Sequence, residues 1–320
     1  MKNCGGALIH KNWVLTAAQC VLFPVPSYLT IGRHDSMNSG EHYETHLIAK
    51  IVVHPQYNST NYTNDFALIK LRNDSNRTVI GIDKGKKLGK QGNVLTVMGW
   101  GLTSNRSRDS SSAVLMEMDA KVVDSEKCNS TYSKSRLPRE VLPESMLCAG
   151  VYEDQAPCDG DEGGPLIMKG KSADKDVLVG VFSWGSSSCT EKGYPAVYGR
   201  VNHIERWIHT TINGPPPQPW LRIFILFIIF LVLLKILQSQ PPADDGSDDK
   251  ITKGKGKTNG KTNGKPKGKP KGKPKQLRKQ TETRKPEENV TKPKTLAQPA
   301  PEELEEKERK EAIILMTKKF

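Results

Sequence analysis

Short apolar runs alternate with polar, turn-rich stretches over the first two thirds of the chain. Each run is rich in Val, Ile, Leu and aromatic residues and is bounded by Asn, Ser, Gly or Pro, which is the pattern of β-strands separated by loops. The runs are WVLTAA, YLTIG, LIAKIVVH, FALIKL, VLTVMGWG, VLVGVFSWG and AVYGRV. Their spacing predicts one all-β unit over residues 1–213, either a barrel or a sandwich.

One helical pattern closes this unit, in the segment VNHIERWIHTTI. Apolar residues and a threonine recur there at the spacing of a single helix face: Ile204, Trp207, Ile208 and Thr211. We therefore predict a helix over residues 201–212.

A longer apolar segment follows a proline-rich linker at residues 214–219. Residues 223–234 are uninterruptedly apolar, which is short against the ~20 residues of a typical membrane-spanning helix. Arg222 and Lys235 can extend their charges toward the headgroups, and Trp220 can lie at the interface, so we predict a transmembrane helix over residues 220–237. The alternative is a core helix of a globular domain, but no later segment could form the rest of that core.

Most of the net positive charge lies in the remaining residues, 238–320. They hold 22 Lys and Arg against 13 Asp and Glu, a net of +9 out of +13 for the whole chain. Eleven lysines and no acidic residue lie between Lys250 and Lys275. Such a composition buries too little apolar surface to fold, so we predict a disordered tail. Residues 302–320 could form a charged helix or remain solvated chain.

The tail also bears on topology and partners. The positive-inside tendency places it in the cytoplasm and the β-rich unit outside, in a single-pass arrangement. Lysines next to a membrane favour anionic lipid headgroups, each contributing ~1 kcal/mol near the surface. No aromatic residue interrupts the lysine repeats, so base stacking has no support and nucleic acid is disfavoured as a partner.

Cysteines and glycosylation motifs indicate an oxidising compartment. All six cysteines fall between Cys4 and Cys189, and an even count is typical of a disulfide-bonded extracellular or lumenal domain. The segment also has Asn-X-Ser/Thr sequons at Asn58, Asn61, Asn73, Asn76, Asn105 and Asn129. The opening residues, MKNCGGALIH, have no apolar stretch of the kind that a signal peptide contains, so we predict no signal peptide in this chain.

Six segments, in order, carry a family resemblance. They are CGGALIHKNWVLTAAQC, NDFALIKL, VMGWG, CAGVYEDQAPCDGDEGGPLI, VGVFSWGSSSC and PAVYGRVNHIERWI. Their order and separations resemble those of trypsin-like serine proteases, the chymotrypsin family S1, over residues 2–212. The resemblance implies two packed six-stranded antiparallel β-barrels with the active site in the cleft between them. It also implies three disulfides, Cys4–Cys20, Cys128–Cys148 and Cys158–Cys189.

The chemistry of that family needs a Ser nucleophile, an imidazole that takes its proton and a buried carboxylate that holds the imidazole. The resemblance places Gln19 at the imidazole, Asp65 at the carboxylate and Glu162 at the nucleophile, so only the carboxylate is retained. An amide cannot accept a proton at neutral pH, and Glu162 brings negative charge to where the oxyanion would develop. Losing the nucleophile or the base costs on the order of a million-fold in rate. We therefore predict a catalytically inactive homologue, a pseudoenzyme.

Other positions also depart from the family pattern. Ala156 stands where members that cleave after Lys or Arg have Asp, and Ala196 replaces a Gly that lines the same pocket with Gly185. In the oxyanion loop Gly160 and Asp161 are retained, but the Ile-Val-Gly-Gly amine that pairs with this Asp in active members is not found. The first strand of the first barrel is also missing, which predicts an unpaired strand edge.

Three classes of function remain open from the sequence. We favour a membrane-tethered ectodomain that binds an extracellular protein partner. The alternatives are a serine-type endopeptidase with an unconventional site and a function carried by the basic tail on anionic lipid. The sequence indicates no cofactor and no metal site.

The three implied disulfides use every cysteine and therefore generate a prediction. Protein made in the secretory pathway should show no free thiol when the folded chain is treated with an alkylating reagent and weighed by mass spectrometry. Two or more alkylated cysteines in the folded protein would instead indicate a reducing compartment.

Overall fold

The computed structural model describes most of the first 215 residues and two later segments. The described residues are 3–22, 24–85, 87–102, 111–134, 140–151, 156–186, 189, 193–215, 219–238 and 309–317. The sequon at Asn105 and the lysine-rich segment between Lys250 and Lys275 lie outside the described residues.

Strands dominate the described part of the chain. In chain order they are β1 (Asn3–His10), β2 (Trp13–Thr16), β3 (Tyr28–Ile31), β4 (Glu44–Val53), β5 (Ala67–Leu71), β6 (Gly81–Ile82), β7 (Val94–Gly99), β8 (Met116–Val123), β9 (Met146–Val151), β10 (Pro165–Met168), β11 (Val177–Trp184), β12 (Ala196–Arg200) and β13 (Ile313–Thr317). The helices are α1 (Gln19–Leu22), α2 (Ser125–Ser133), α3 (Glu205–Asn213) and α4 (Pro219–Gln238).

These strands form two antiparallel barrels, as the resemblance implied. The first is closed in the order β1, β13, β3, β4, β5, β2. The second runs β10, β7, β8, β9, β12, β11, and β11 pairs back with β10, while the short β6 adds to β11 in parallel. Each predicted apolar run lies on one of these strands, because strands that face a barrel interior must bury their Val, Ile and Leu side chains.

The predicted closing helix is confirmed, with a later start. Residues 201–203 form a 3₁₀ turn, and α3 begins at Glu205. Ile204 and Ile208 are buried and join the core of the first barrel, while Trp207 packs against that core from its edge. The helix face read from the sequence is therefore the one that packs on the protein.

The two barrels meet where glycine allows close approach. A Cβ on Gly5 of the first barrel would lie 2.6 Å from the Cα of Gly164 in the second. A Cβ on Gly199 of β12 would lie 2.4 Å from the ring of Phe66, a fully buried residue beside β5. Real Cβ atoms do not come this close to other heavy atoms, so both contacts require glycine.

All three implied disulfides are confirmed. Cys4 bonds Cys20, Cys128 bonds Cys148 and Cys158 bonds Cys189. The first lies within the first barrel and the other two within the second, so each barrel is cross-linked by itself.

The prediction of an unpaired edge in the first barrel is wrong. The strand β13, from the end of the predicted tail, lies antiparallel between β1 and β3 and closes the barrel. The sequence suggested a charged helix or solvated chain here. That prediction failed because five apolar residues in a charged segment do not show which strand edge they pair with.

The segment predicted to cross a membrane is helical. It forms α4, whose described apolar side chains are mostly exposed. Within the described residues, however, the structure contains no helix long and apolar enough to pass through a membrane, so the predicted transmembrane helix is not supported.

The chain divides into two compact units. One comprises Met1–Pro216 together with Gln298–Phe320, and the other is Pro217–Ala297. The end of the chain thus belongs with the β-rich unit, not with the lysine-rich segment that precedes it.

The contact between Gly199 and Phe66 generates a prediction. Gly199→Ala should lower the free energy of unfolding by about 1–3 kcal/mol, because the added methyl group overpacks the interface between the barrels. Gly150→Ala is the matched control, since a Cβ on this β9 residue would meet only ordinary contacts of 3.6 Å or more. Urea denaturation measures both, and equal stability of the two variants would contradict the packing described.

Candidate active site

The first barrel brings Gln19 and Asp65 together through one strand pair. In the antiparallel pair of β2 and β5, Thr16 lies opposite Ala67. The residues just after β2 and just before β5 therefore meet at the same end of the pair. The backbone N–H of Gln19 donates to Asp65 Oδ1 at 3.0 Å, and its side-chain Nε2 donates to Asp65 Oδ2 at 2.8 Å.

A serine of the second barrel completes this group. The hydroxyl of Ser183, on β11, donates to Asp65 Oδ2 at 2.6 Å, and the carbonyl of Ser183 accepts from Gln19 Nε2 at 2.6 Å. Both N–H bonds of the Gln19 amide nitrogen thus have acceptors. The sequence analysis missed Ser183, although the SWG motif that contains it was among the segments quoted for the resemblance.

The Asp65 carboxylate is 1% exposed. Burial raises the pKa of Asp65 above its ordinary value, while hydrogen bonds from Ser183 and Gln19 act in the opposite direction. A carboxylate buried this deeply is stable only if donors replace the lost water. Gln19 and Ser183 supply those donors.

Glu162 lies in the turn before β10, and its side chain folds back onto that turn. The backbone N–H of Gly160 donates to Glu162 Oε2 at 2.8 Å. Gly160 adopts a φ of +103°, a conformation that favours glycine, and this conformation lets the turn close on itself. Glu162 is 6% exposed, so its carboxyl group is largely shielded from water.

Backbone hydrogen bonds fix this turn against both barrels. The N–H of Gly5, on β1, donates to the Glu162 carbonyl at 2.8 Å. The N–H of Gly163 donates to the carbonyl of Phe182, the residue before Ser183, also at 2.8 Å. The structure therefore brings the predicted residues Gln19, Asp65 and Glu162 to the same seam between the barrels.

Asp161 is buried among backbone N–H groups. Its carboxylate accepts from the N–H of Gly101 at 2.7 Å and from the N–H of Cys158 at 3.0 Å. A Cβ on Gly99 or Gly101 would come within 2.2 Å of a carboxylate oxygen, so the two glycines form a close cradle for it. Burial raises the pKa of Asp161 to about 6, the two N–H donors oppose that rise, and the charge of Glu162 adds to it. Among the described residues no cation forms an ion pair with Asp161.

The predicted pocket residues lie on the second barrel. A Cβ on Gly185, just after β11, would be 3.9 Å from the Cα of Ala196, the first residue of β12, so these two are neighbours. Ala156 is half-buried, two residues before Cys158. The disulfide to Cys189 ties Cys158 to the segment that follows Gly185.

Histidine could in principle replace the missing base, and His54 lies nearest to Asp65 in the chain. Its ring packs on Trp207 of α3 with 4.8 Å between centroids, and its backbone N–H donates to the carbonyl of Phe66. Burial, with a smaller contribution from the charge of His203, lowers the pKa of His54. The ring is thus committed to packing on α3. In the described part of the chain no group of His, Cys, Asp and Glu could hold a metal ion.

Comparison with known proteins agrees with this architecture. A family model described as Trypsin matches residues 1–208. Granzyme M of Rattus norvegicus is 36% identical over 225 residues, which cover 68% of this chain and 82% of that protein. Cationic trypsin-3 of Rattus norvegicus is 34% identical over 214 residues, covering 65% and 79%. Vitamin K-dependent protein C of Oryctolagus cuniculus is 31% identical over 229 residues, covering 68% of this chain but only 48% of that protein.

The hydrogen bonds between Gln19 and Asp65 generate a prediction. Gln19→Leu should lower the free energy of unfolding at neutral pH by about 1–3 kcal/mol, because a buried carboxylate loses a side-chain donor. The deficit should shrink as the pH falls and Asp65 becomes protonated, since a neutral carboxyl group needs fewer donors. Denaturant unfolding of the variant and the unaltered protein at several pH values measures this difference.

Gln91→Leu provides the matched control for Gln19→Leu, because Gln91 is exposed in a turn of the second barrel. It should change the free energy of unfolding by no more than about 0.5 kcal/mol. A deficit in Gln19→Leu that is small, or that does not depend on pH, would mean that Asp65 does not depend on this donor.

Proposed function

The chain belongs to the trypsin family of serine proteases, and we propose that it is a member without proteolytic activity whose protease-like domain binds another protein. The observation that supports this most directly is the hydrogen bond from the Gly160 N–H to the Glu162 carboxylate. Acyl transfer in this fold needs a neutral hydroxyl at that position and a free N–H donor for the oxyanion.

An amide stands at the position of the family's imidazole base. Gln19 occupies the place next to Asp65, and its amide nitrogen donates to Asp65 and to the Ser183 carbonyl. An amide oriented in this way preserves the hydrogen bonds around the buried carboxylate. It cannot take a proton from a nucleophile or deliver one to a leaving group, which are the two tasks of the imidazole.

The nucleophile position holds a carboxylate, and that carboxylate engages a backbone donor of the oxyanion loop. A Glu162 carboxylate that attacked a peptide would form an anhydride, and Gln19 stands at the position of the base that would activate the water needed for its hydrolysis. The same carboxylate accepts from Gly160, so the donor that would stabilise a developing oxyanion faces a negative charge instead. Both changes oppose turnover.

The two-barrel architecture supports a role in binding a protein partner. The domain has both barrels of the family, each with its own disulfide cross-linking, and Gly185 and Ala196 lie side by side on the second barrel, where the family resemblance implies a wall of the cleft. With Ala156 at the position of the specificity carboxylate, the pocket lacks the charge that would select Lys or Arg. We propose that an extracellular protein partner docks in this cleft through an uncharged side chain and is held without being cleaved.

A membrane role rests on a separate observation, the exposed apolar side chains of α4. Ile223, Phe224 and their successors up to Ile236 face solvent along most of the helix. We propose that α4 associates with a membrane, and that the lysines between Lys250 and Lys275 add attraction to anionic headgroups.

Flotation of the full chain with vesicles tests this membrane association: binding should need α4 and should strengthen with anionic lipid. Equal flotation after Phe224→Ser, Phe227→Ser and Phe230→Ser are combined would contradict it.

The test of inactivity uses the full chain and a broad peptide library, read by mass spectrometry. The unaltered protein should cleave nothing and should not react with a fluorophosphonate. Gln19→His combined with Glu162→Ser should still give little turnover, since Asp161 would retain its two backbone donors and gain no cationic partner. An active trypsin assayed beside it controls for the library.

Two results bear on this proposal in opposite directions. Cleavage by the unaltered protein that persists through repurification and disappears in Glu162→Gln would establish an unconventional hydrolase and overturn the proposal. Retained binding of an uncleaved peptide by both the unaltered protein and the double variant would support the binding role.

A further inference from the structure

The strand β13, which is far from the first barrel in the sequence, lies between β1 and β3 of that barrel. It pairs with β1 from Asn3 opposite Thr317 to Ala7 opposite Ile313, and with β3 through Ile31 opposite Ile314. The N–H of Leu8 extends this ladder by donating to the Ala312 carbonyl at 3.0 Å. Without β13, the facing edges of β1 and β3 would each present unpaired backbone groups.

Apolar side chains of the segment complete the interior of the barrel. Ala312, Ile313, Ile314 and Met316 are buried, and Ile314 and Met316 are fully so. They belong to the same core cluster as Leu8 and Ile31. The space between β1 and β3 is therefore an apolar slot whose two long edges offer backbone hydrogen bonds.

Charged groups hold the start of the segment. Arg309 forms an ion pair with Asp176 at 2.5 Å and donates to the Gly170 carbonyl at 3.0 Å, and both partners lie in the connection between β10 and β11 of the second barrel. Glu311 forms an ion pair with Arg77 of the first barrel at 2.7 Å. Three of these four charged side chains are no more than 11% exposed, so the contacts are shielded from solvent.

These observations define the chemistry of a ligand. It is a peptide that begins with a helical turn, residues 309–311, which carries a cationic residue and an anionic residue two positions later, and that continues as an extended, mostly apolar strand over residues 313–317. Pairing of an added strand with a sheet edge supplies affinity through backbone hydrogen bonds and specificity through side-chain pockets. We propose that the slot between β1 and β3 is a strand-accepting peptide site, and that the chain's own segment, residues 309–317, is its ligand.

The connection between the barrel and this ligand is long enough for binding within one molecule. Residues 239–308 could span more than about 200 Å at ~3.3 Å per residue when fully extended. Tethering makes binding of the segment intramolecular, so the segment meets the slot at an effective concentration that is set by the linker and not by the protein concentration. A segment attached to its own barrel should therefore outcompete free peptide.

The proposal has a consequence for topology. A helix α4 that crossed a membrane once would separate the first barrel from residues 309–317, so the slot could not be filled by the same chain. We therefore infer that the first barrel and the C-terminal segment share one compartment. The sequence-based expectation of a cytoplasmic tail with an external barrel conflicts with this assignment.

Amide hydrogen exchange on the full chain tests the site. The amides of residues 313–316 should exchange as slowly as those of β2 in the unaltered protein. Ile314→Asp should accelerate their exchange at least tenfold, together with that of the facing edge of β3. Val25→Asp is the matched control, because this aliphatic residue is 63% exposed and the change should leave β13 protected. Exchange of residues 313–316 at the rate of unstructured chain in the unaltered protein would overturn the proposal.

A charge reversal keeps the test decisive if Ile314→Asp prevents folding. Arg77→Glu alone and Glu311→Arg alone should each accelerate exchange in residues 313–316, and the two combined should restore most of the protection. Absence of any recovery would mean that this ion pair does not help to hold the segment.

Two further readouts address the own-chain assignment. Native mass spectrometry should show a monomer under the conditions in which hydrogen exchange shows β13 to be protected. Mixed dimers that form from two differently tagged chains, and that are lost in Ile314→Asp, would overturn binding within one molecule. In cells, an epitope inserted after residue 280 should be accessible on the same side of the membrane as the first barrel. An epitope on the opposite side would overturn the shared compartment.

Discussion

The buried carboxylate of Asp65 is the group on which the cleft depends. It lies between the barrels with almost no access to water, and it accepts hydrogen bonds from Gln19 of one barrel and Ser183 of the other. Removing a charge from water is costly unless fixed donors replace the solvent. The site therefore needs a donor beside Asp65 whether or not it catalyses a reaction. Gln19 meets that structural need, because its backbone N–H and its side-chain amide both donate to the carboxylate.

The same requirement for satisfied polar groups governs the first barrel. Its backbone ladder closes only because β13 lies between β1 and β3. Buried N–H and C=O groups are nearly always paired in folded proteins. The facing edges of β1 and β3 therefore need an extended segment between them. The chain supplies one from its far end, and the ion pairs of Arg309 and Glu311 align it with both barrels. Residues 313–317 thus complete the first barrel.

Much of this architecture could be predicted from the sequence. Apolar runs identified strands such as β2, β5 and β11, and the family resemblance identified the disulfides and the neighbourhood of Gln19 and Asp65. The remaining features depend on tertiary contacts. The pairing of Ile313–Thr317 with β1 spans nearly the whole chain, and local composition favoured a solvated tail. The hydrogen bond from the Gly160 N–H to the Glu162 carboxylate depends on a turn in which Gly160 has a positive φ. Residue identities alone do not specify that conformation.

Affinity for a transition-state analogue tests the central claim, the absence of acyl-transfer chemistry, most directly. A peptide boronic acid and the same peptide with an ordinary carboxyl terminus can be titrated against the full chain by calorimetry. An active serine protease favours such analogues over substrates by at least about a hundredfold. With Glu162 in place of the serine and the Gly160 N–H already engaged, the account predicts affinities that agree within a few fold. A boronate that binds a hundredfold more tightly than its carboxylate counterpart would contradict it.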